Sequence, residues 1–196
     1  MTTSAIAKPS DAITAADLAA HKRSVLSQPD GERLIRRNAK LRGVELSGAD
    51  LRLAEFSGCD MRWANFRRSD LRKADLRATD LRGADFTGSD MQRADMRGAW
   101  LAGAQMRGAD LRCTDLRGAF GVIDGGIIDG YRVILVRHSD ESRIAAGCRW
   151  FTIAEARAHW SSPEMATHSL GPQHGPRMLE VLELMLEEAR QFDWTI

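Results

Sequence analysis

Between Ala39 and Gly118 the chain sets Leu, Met or Phe at every fifth position. Written in units of five, the run opens AKLRG VELSG ADLRL and closes ADLRC TDLRG, sixteen consecutive units with no insertion. The third position holds nine Leu, four Met and three Phe; the first is always small or short, mostly Ala, otherwise Val, Ser, Thr or Cys. The fourth is Arg in eleven units, and the fifth is often Gly. A helix would repeat its apolar positions at three and four, and a strand at two, so neither describes this run. A spacing of five suits a chain that turns a corner after every fifth residue. In the short extended stretch between corners, side chains two apart share a face, which sends the first and third positions inward. The acidic second position and the Arg at the fourth then point out, and Gly serves the corner. Four sides close a square of twenty residues, and the run predicts four coils.

The pattern A-[DN]-[LMF]-x-x over residues 39–118 resembles that of the pentapeptide repeat family. The resemblance implies an all-β solenoid, a right-handed quadrilateral β-helix of four coils, to which the flanking residues, read by themselves, add an N-terminal capping helix and a small C-terminal α+β unit. It leaves function open, because one scaffold serves many uses. The chain divides on this reading into an N-terminal helical cap (1–38), the β-helix (39–118) and the C-terminal unit (119–196).

The flanks are expected to cover the open ends of the solenoid, where unpaired backbone would invite end-to-end association. At the N-terminus, Ser10 and Asp11 precede the stretch AITAADLAAHKRSVL, a helix with Ile13, Leu18, Val25 and Leu26 on its apolar side, closed by Pro29-Asp30-Gly31. His21 is expected to be a solvated residue of that helix. At the C-terminus, a Gly-rich linker GVIDGGIIDG leads to a strand from Tyr131 to Arg137, the turn HSDES, and a second strand around Arg143–Phe151. Thr152 and Glu155 form a capping box that opens a helix, IAEARAHW. A last helix runs from about Pro176 to Phe192, giving the order ββαα. Its apolar stripe of Met178, Val181, Leu182, Met185, Ala189 and Phe192, widened by Leu179 and Leu186, needs two neighbours. Met178, Leu182, Met185 and Leu186 therefore either pack between hairpin and solenoid or pair two copies of the chain in a homodimer, an arrangement the family resemblance also allows. The stretch AGCRWFTIAEARAHW resembles a module of phage and prophage pentapeptide repeat proteins, which implies a phage association and no particular activity.

Charge narrows the function. The chain of 196 residues carries a net +1, which excludes a bulk polycation or polyanion. Within the repeat, 15 Lys/Arg face 12 Asp/Glu. A DNA mimic of the kind that acts on type II topoisomerases needs uncompensated negative charge at phosphate spacing. The sign is wrong, and four coils about 4.8 Å apart reach only about 19 Å. Direct nucleic-acid binding is disfavoured as well, because most repeat Arg residues lie beside an Asp. Arg62, Trp63, Arg67 and Arg68, with Arg72 and Lys73 next to them, are set apart as a candidate partner-binding patch, since bases beside an exposed aromatic can anchor a partner. Three Cys residues, an odd number without paired spacing, fit a reduced cytoplasm. No apolar run is long enough to cross a membrane, and the first residues lack the form of a secretory signal. His138, Ser139 and Asp140 are consecutive and cannot assemble a relay. Cys148, His159, His168 and His174 lack zinc-site spacing. Cys59 is expected inward and Cys113 at an outward corner. No catalytic, cofactor or metal residue is assigned. The expectation is a cytoplasmic, non-enzymatic binding or scaffold protein for an unidentified protein partner. A topoisomerase-directed DNA mimic and an enzyme seated in the C-terminal unit are the alternatives.

Overall fold

The computed structural model describes residues 12–129, 131–137, 142–146, 149–167 and 169–194. From Ile35 to Phe120 the backbone forms parallel bridges between residues twenty apart, such as Ile35 with Glu55, Asp60 with Asp80 and Trp100 with Phe120. Each side contributes one bridged residue, the second of its pentad, because the chain turns again before a longer strand can form. In every corner the N–H of the next first position donates to the preceding third-position carbonyl, as from Ala54 to Leu51 at 3.0 Å. The fifth residue has positive φ while the fourth does not, the mark of a type II turn. Gly43, Gly83 and Gly118 meet that demand without cost, whereas Leu53, Trp63, Arg68, Lys73, Ala78, Arg93 and Cys113 hold the same left-handed conformation with a side chain. Each such residue costs about 1–2 kcal/mol of backbone strain.

The first and third positions fill the interior. Leu51, Phe56, Met61, Phe66, Leu71 and Leu76 are fully buried, with Ala54, Ala64 and Ala74 between them. Phe66 and Phe86 stack one coil apart, ring centres 5.0 Å apart and planes within 1°. Polar first positions are tolerated because each hydroxyl finds a carbonyl: Ser69 donates to Phe66 O at 2.7 Å, Thr79 to Phe56 O at 2.8 Å and Thr114 to Met91 O at 2.9 Å.

The N-terminal end is closed by α1, Ala15–Val25, which opens on a Thr14–Asp17 capping box. Ile13 and Leu18 pack on the solenoid core. His21 is not solvated, as the sequence led us to expect, but fully buried. Its Nδ1 accepts the Leu34 N–H at 2.9 Å where the chain turns into the first coil. Arg36, also buried, pairs with Asp17 at 3.1 Å. Ser10 and Asp11, expected just before this helix, lie outside the described residues.

The C-terminal end is closed by a four-stranded antiparallel sheet in the order β1 (Val122–Ile128), β2 (Tyr131–Val136), β3 (Arg143–Ala146), β4 (Arg149–Thr152). Two expectations change here. The Gly-rich stretch taken for a linker is β1, bulged between Asp124 and Gly126. Its glycine is there for close approach: a Cβ on Gly125 would come within 2.5 Å of Met185 Sδ and 2.8 Å of a Val181 methyl. The single strand expected around Arg143–Phe151 is the hairpin β3–β4. One face of the sheet lays Ile134, Val136 and Ala145 on the solenoid core. The other carries Ile123, Val133, Leu135 and Ile144 beneath α2 (Ile153–Trp160) and α3 (His174–Gln191). The seam is tight. Gly103 N–H donates to Arg137 O at 2.6 Å, Arg137 N–H to Gly121 O at 2.9 Å, and a Cβ on Gly121 would sit 2.6 Å from Ala102 N.

Candidate functional site

The outward face of the solenoid is a neutralised lattice. In pentad after pentad the second-position Asp accepts two bonds from the Arg two residues on: Arg62 Nε and a terminal nitrogen reach Asp60 at 2.8 and 2.6 Å. The Asp also accepts that Arg's backbone N–H, as Asp75 does from Arg77 at 3.1 Å. The two-residue spacing and the turn aim the guanidinium back at its own acid. Where the next coil also holds an acid at that place, the Arg leans toward it: Arg52 Nε lies 3.5 Å from Asp70, Arg62 from Asp80 and Arg72 from Asp90. Hydrogen bonding from Arg62 holds the Asp60 carboxyl down at about 2, and Arg117 does the same for Asp115. These pairs are half exposed, so each adds little stability.

The patch set apart in the sequence is divided by this lattice. Arg62 is tied to Asp60 and Asp80, and Arg67 to Asp85 at 2.8 Å. Trp63 is half exposed and lies flat along a corner column between Arg42, 4.0 Å from its ring centre, and Gly83, where a Cβ would come within 2.6 Å of the ring. Arg68 and Lys73 are exposed at corners and make no ion pair among the described residues. The helix residues Met178, Leu182, Met185 and Leu186 are buried against the sheet of their own chain. A second copy could reach them only by displacing that sheet. Leu184 and Phe192 are what this helix exposes.

Other chemistry is sparse. His174, buried at the start of α3, bonds Asp129 at 2.7 Å, and Asp129 also takes Arg177 at 2.8 Å. These bonds fasten the β1–β2 turn to the helix. Cys59 is buried with Sγ 2.9 Å from Arg36 O, and Cys113 is exposed at its corner. His138, Ser139, Asp140, Cys148 and His168 lie outside the described residues. Among the described residues no three His, Cys, Asp or Glu side chains gather as a metal site, and no helix is long and apolar enough to cross a membrane.

What the sequence reading passed over is a break in the acid column. Below, Asp60 and Asp80 occupy the second position; in the two pentads above, twenty residues apart, stand Trp100 and Phe120. Their rings stack at 4.7 Å, each about half exposed, with Arg82 carrying on beneath, 5.5 Å from the Trp100 ring. The break opens onto the seam with the C-terminal unit, where a cleft of about 530 Å³ is lined by these residues together with Arg137, Glu188, Phe192 and Trp194. The signal was present as two aromatics in register at an acid's place.

The pentapeptide repeats family matches in eight copies over residues 37–68, 59–98 and 89–120, and this segment of the chain is pentapeptide-repeat sequence. It implies a right-handed β-helix, of which the bridging of residues twenty apart is the local form. A solved pentapeptide repeat protein from the cyanobacterium Cyanothece 51142 is 28% identical over 44% of this chain and 58% of its own, with a TM-score of 0.43. One from the Arabidopsis thaliana thylakoid lumen is 31% identical over 44% and 60%, with a TM-score of 0.43. QnrB1, a plasmid-mediated fluoroquinolone resistance protein, is 29% identical in a trypsin-treated form over 43% and 46%, with a TM-score of 0.23. The chain thus spans less than two thirds of the length of each. No curated protein matches it. The family match ends at residue 120, and nothing supports the phage-type resemblance of the C-terminal stretch.

Proposed function

We propose that this chain is a non-enzymatic binding scaffold in which the solenoid is a rigid spacer and the C-terminal unit meets a protein partner. The observation that carries this reading is where apolar surface remains. Of the nine large apolar side chains left exposed among the described residues, six (Trp100, Phe120, Ile127, Leu170, Leu184 and Phe192) lie on the last coils or the C-terminal unit. Contiguous exposed apolar surface marks interaction sites, and Trp100, Phe120 and Phe192 line one cleft. The solenoid, by contrast, has a filled interior and sides whose charges satisfy one another. Pentapeptide-repeat proteins in general serve structural or binding roles. The patch of Arg62, Trp63, Arg67 and Arg68 is a second contact surface, with Arg68 and Lys73 as its uncommitted cations. Reduced thiols favour the cytoplasm, and a phage association rests on the C-terminal resemblance alone.

The DNA-mimic alternative requires acids free to imitate phosphates, and here the Asp columns are clasped by Arg. Half-inhibition of DNA gyrase supercoiling at submicromolar protein would revive it. For the scaffold, the test is photo-crosslinking in cells from a photoreactive residue placed at Ile127 or Leu184 and, separately, at Leu53 or Trp63. Discrete adducts from the first pair support the reading; adducts from the second pair alone move the partner to the solenoid side.

A further inference from the structure

The cleft at the seam combines features that a surface for protein contact does not need. Trp100 and Phe120 replace acids in a column whose vertical repeat is one strand spacing, about 4.8 Å. The rise holds successive rings at stacking distance, 4.7 Å between centres. Arg82 covers the lower face of this stack and is already bound to Asp80 at 2.7 Å. Phe120 occupies the last bridged position of the column, so the stack ends there, about half exposed, at the wall of the cleft. Phe192 and Trp194 close in from the end of α3, where the chain folds back and Trp194 N–H bonds Ala189 O at 3.1 Å.

Apart from Arg82, the charged groups of the cleft are two, and they are uncommitted among the described residues. Arg137 has its backbone pinned to the last coil on both sides, at 2.6 and 2.9 Å, while its exposed guanidinium makes no ion pair among the described residues. Glu188, on α3, is likewise unpaired among them. A volume of about 530 Å³ with aromatic walls and few polar groups is in the range of a small-ligand site.

We propose that this cleft binds a planar aromatic ring carrying an anionic group, of about mononucleotide size. The ring continues the Arg82–Trp100–Phe120 stack, Arg137 takes the anion, and Glu188 accepts hydrogen bonds from ring N–H or amino groups. Stacking on aromatic side chains is tolerant of ring identity, so the site selects a class of molecule. The proposal assigns Trp100, Phe120 and Phe192 to a small ligand and leaves Ile127, Leu170 and Leu184 to a protein partner, and the titration below reads ring binding with no partner present.

The test is titration of the full chain with adenosine 5′-monophosphate, phenyl phosphate, adenosine and inorganic phosphate, followed by calorimetry and by tryptophan fluorescence. The two ring phosphates are expected to bind at or below about 1 mM, adenosine more weakly, and inorganic phosphate not at all. Phe120→Ala should weaken both ring phosphates about tenfold. Arg137→Gln should bring adenosine monophosphate down to the affinity of adenosine and leave adenosine unchanged. Trp100→Asp restores the acid of the column and gives Arg82 the second carboxylate that Asp80 gives Arg62 at 3.5 Å. It should fold with an unchanged melting temperature and lose ring binding. The proposal is overturned if no ring compound saturates the protein by about 5 mM, if inorganic phosphate binds as well as the ring phosphates, or if folded Trp100→Asp and Phe120→Ala proteins bind like the wild type.

Discussion

The two ends of the solenoid solve one problem by different chemistry. Each must cover a bare apolar core and unpaired backbone groups. The N-terminal end uses one short helix and admits polar groups: His21 and Arg36 are buried there, with Nε2 of the first and Nε of the second lacking partners among the described residues. The C-terminal end uses a sheet with helices behind it, and its two interfaces are mainly apolar, Ile134 and Val136 on one side and Val133, Leu135 and Leu182 on the other, with Arg132 donating to Thr114 O at 2.6 Å across the first and His174 held by Asp129 beside the second. Buried polar groups make a cap conditional on solution conditions, because an unmet hydrogen bond costs about 1–3 kcal/mol. A cap whose contacts are mainly apolar depends on them less and can carry attachments. The surplus surface of the molecule lies at that second end.

The largest effect should come from charging the apolar end. Leu182→Glu with Met185→Glu places two carboxylates in the layer between α3 and the sheet. More than about 4 kcal/mol should be lost there, seen as collapse of α3 protection in hydrogen exchange while the coils around Leu76 stay protected. Retention of folded α3 would show that these residues face solvent or another chain. Next is the solenoid between the ends. Leu76→Ala empties a fully buried site and should cost about 2–5 kcal/mol in denaturant titration, and a loss below about 1 kcal/mol would mean that the coil relaxes around the gap.

At the seam itself, Gly121→Ala should weaken attachment of the sheet to the last coil, since the added carbon meets Ala102 backbone and the position has a φ of 78°. A melting temperature lower by several degrees is expected, and no change would mean the seam is slack.

A gentler contrast is pH. Burial holds the pKa of His21 below its ordinary 6.5. The unfolded chain therefore takes up a proton that the folded cap refuses, so stability is full above pH 6.5 and declines as pH falls through that value. The carboxylates of the solenoid act lower. Asp60 and Asp115, held at about 2, keep their contribution above the ordinary 3.8 and lose it as pH drops from there toward 2. The protection factor of the Leu34 amide, its exchange rate corrected for the intrinsic pH dependence, should fall between pH 7.5 and 5 in the wild type and not in His21→Phe, with no matching fall at Val133. The smallest effect is Arg77→Ala, no resolvable shift of the denaturant midpoint, because the pair it breaks is exposed.

The inward residues could be read from the sequence because one strict period fixes them: every Leu, Met and Phe of the third position is buried, Leu111 and Leu116 at the top coil included. Contacts without local spacing could not. His21 is buried because the backbone of Leu34 returns over it thirteen residues later, and no periodicity announces that. β1 was hidden by its glycines, which signal flexibility in isolation and close helix packing in the fold. The stripe on α3 was legible as a wide apolar face, but which neighbour covers it depends on a hairpin that the sequence rendered as one strand. On the surface, Trp63 stands out in the sequence among its Arg neighbours, and the fold lays it between Arg42 and Gly83, whereas Trp100 and Phe120 matter through their register with Asp60 and Asp80.

The central claim is that this solenoid sets a shaft of paired charges apart from a binding end. Partner capture by three purified forms tests it most directly: the wild type, a shaft variant with Arg72→Gln and Arg77→Gln, and an end variant with Ile127→Ser and Leu184→Ser, each verified as folded. The account predicts that any partner crosslinked in cells is retained by the wild type and the shaft variant and lost by the end variant. Loss from the shaft variant with retention by the end variant would contradict it.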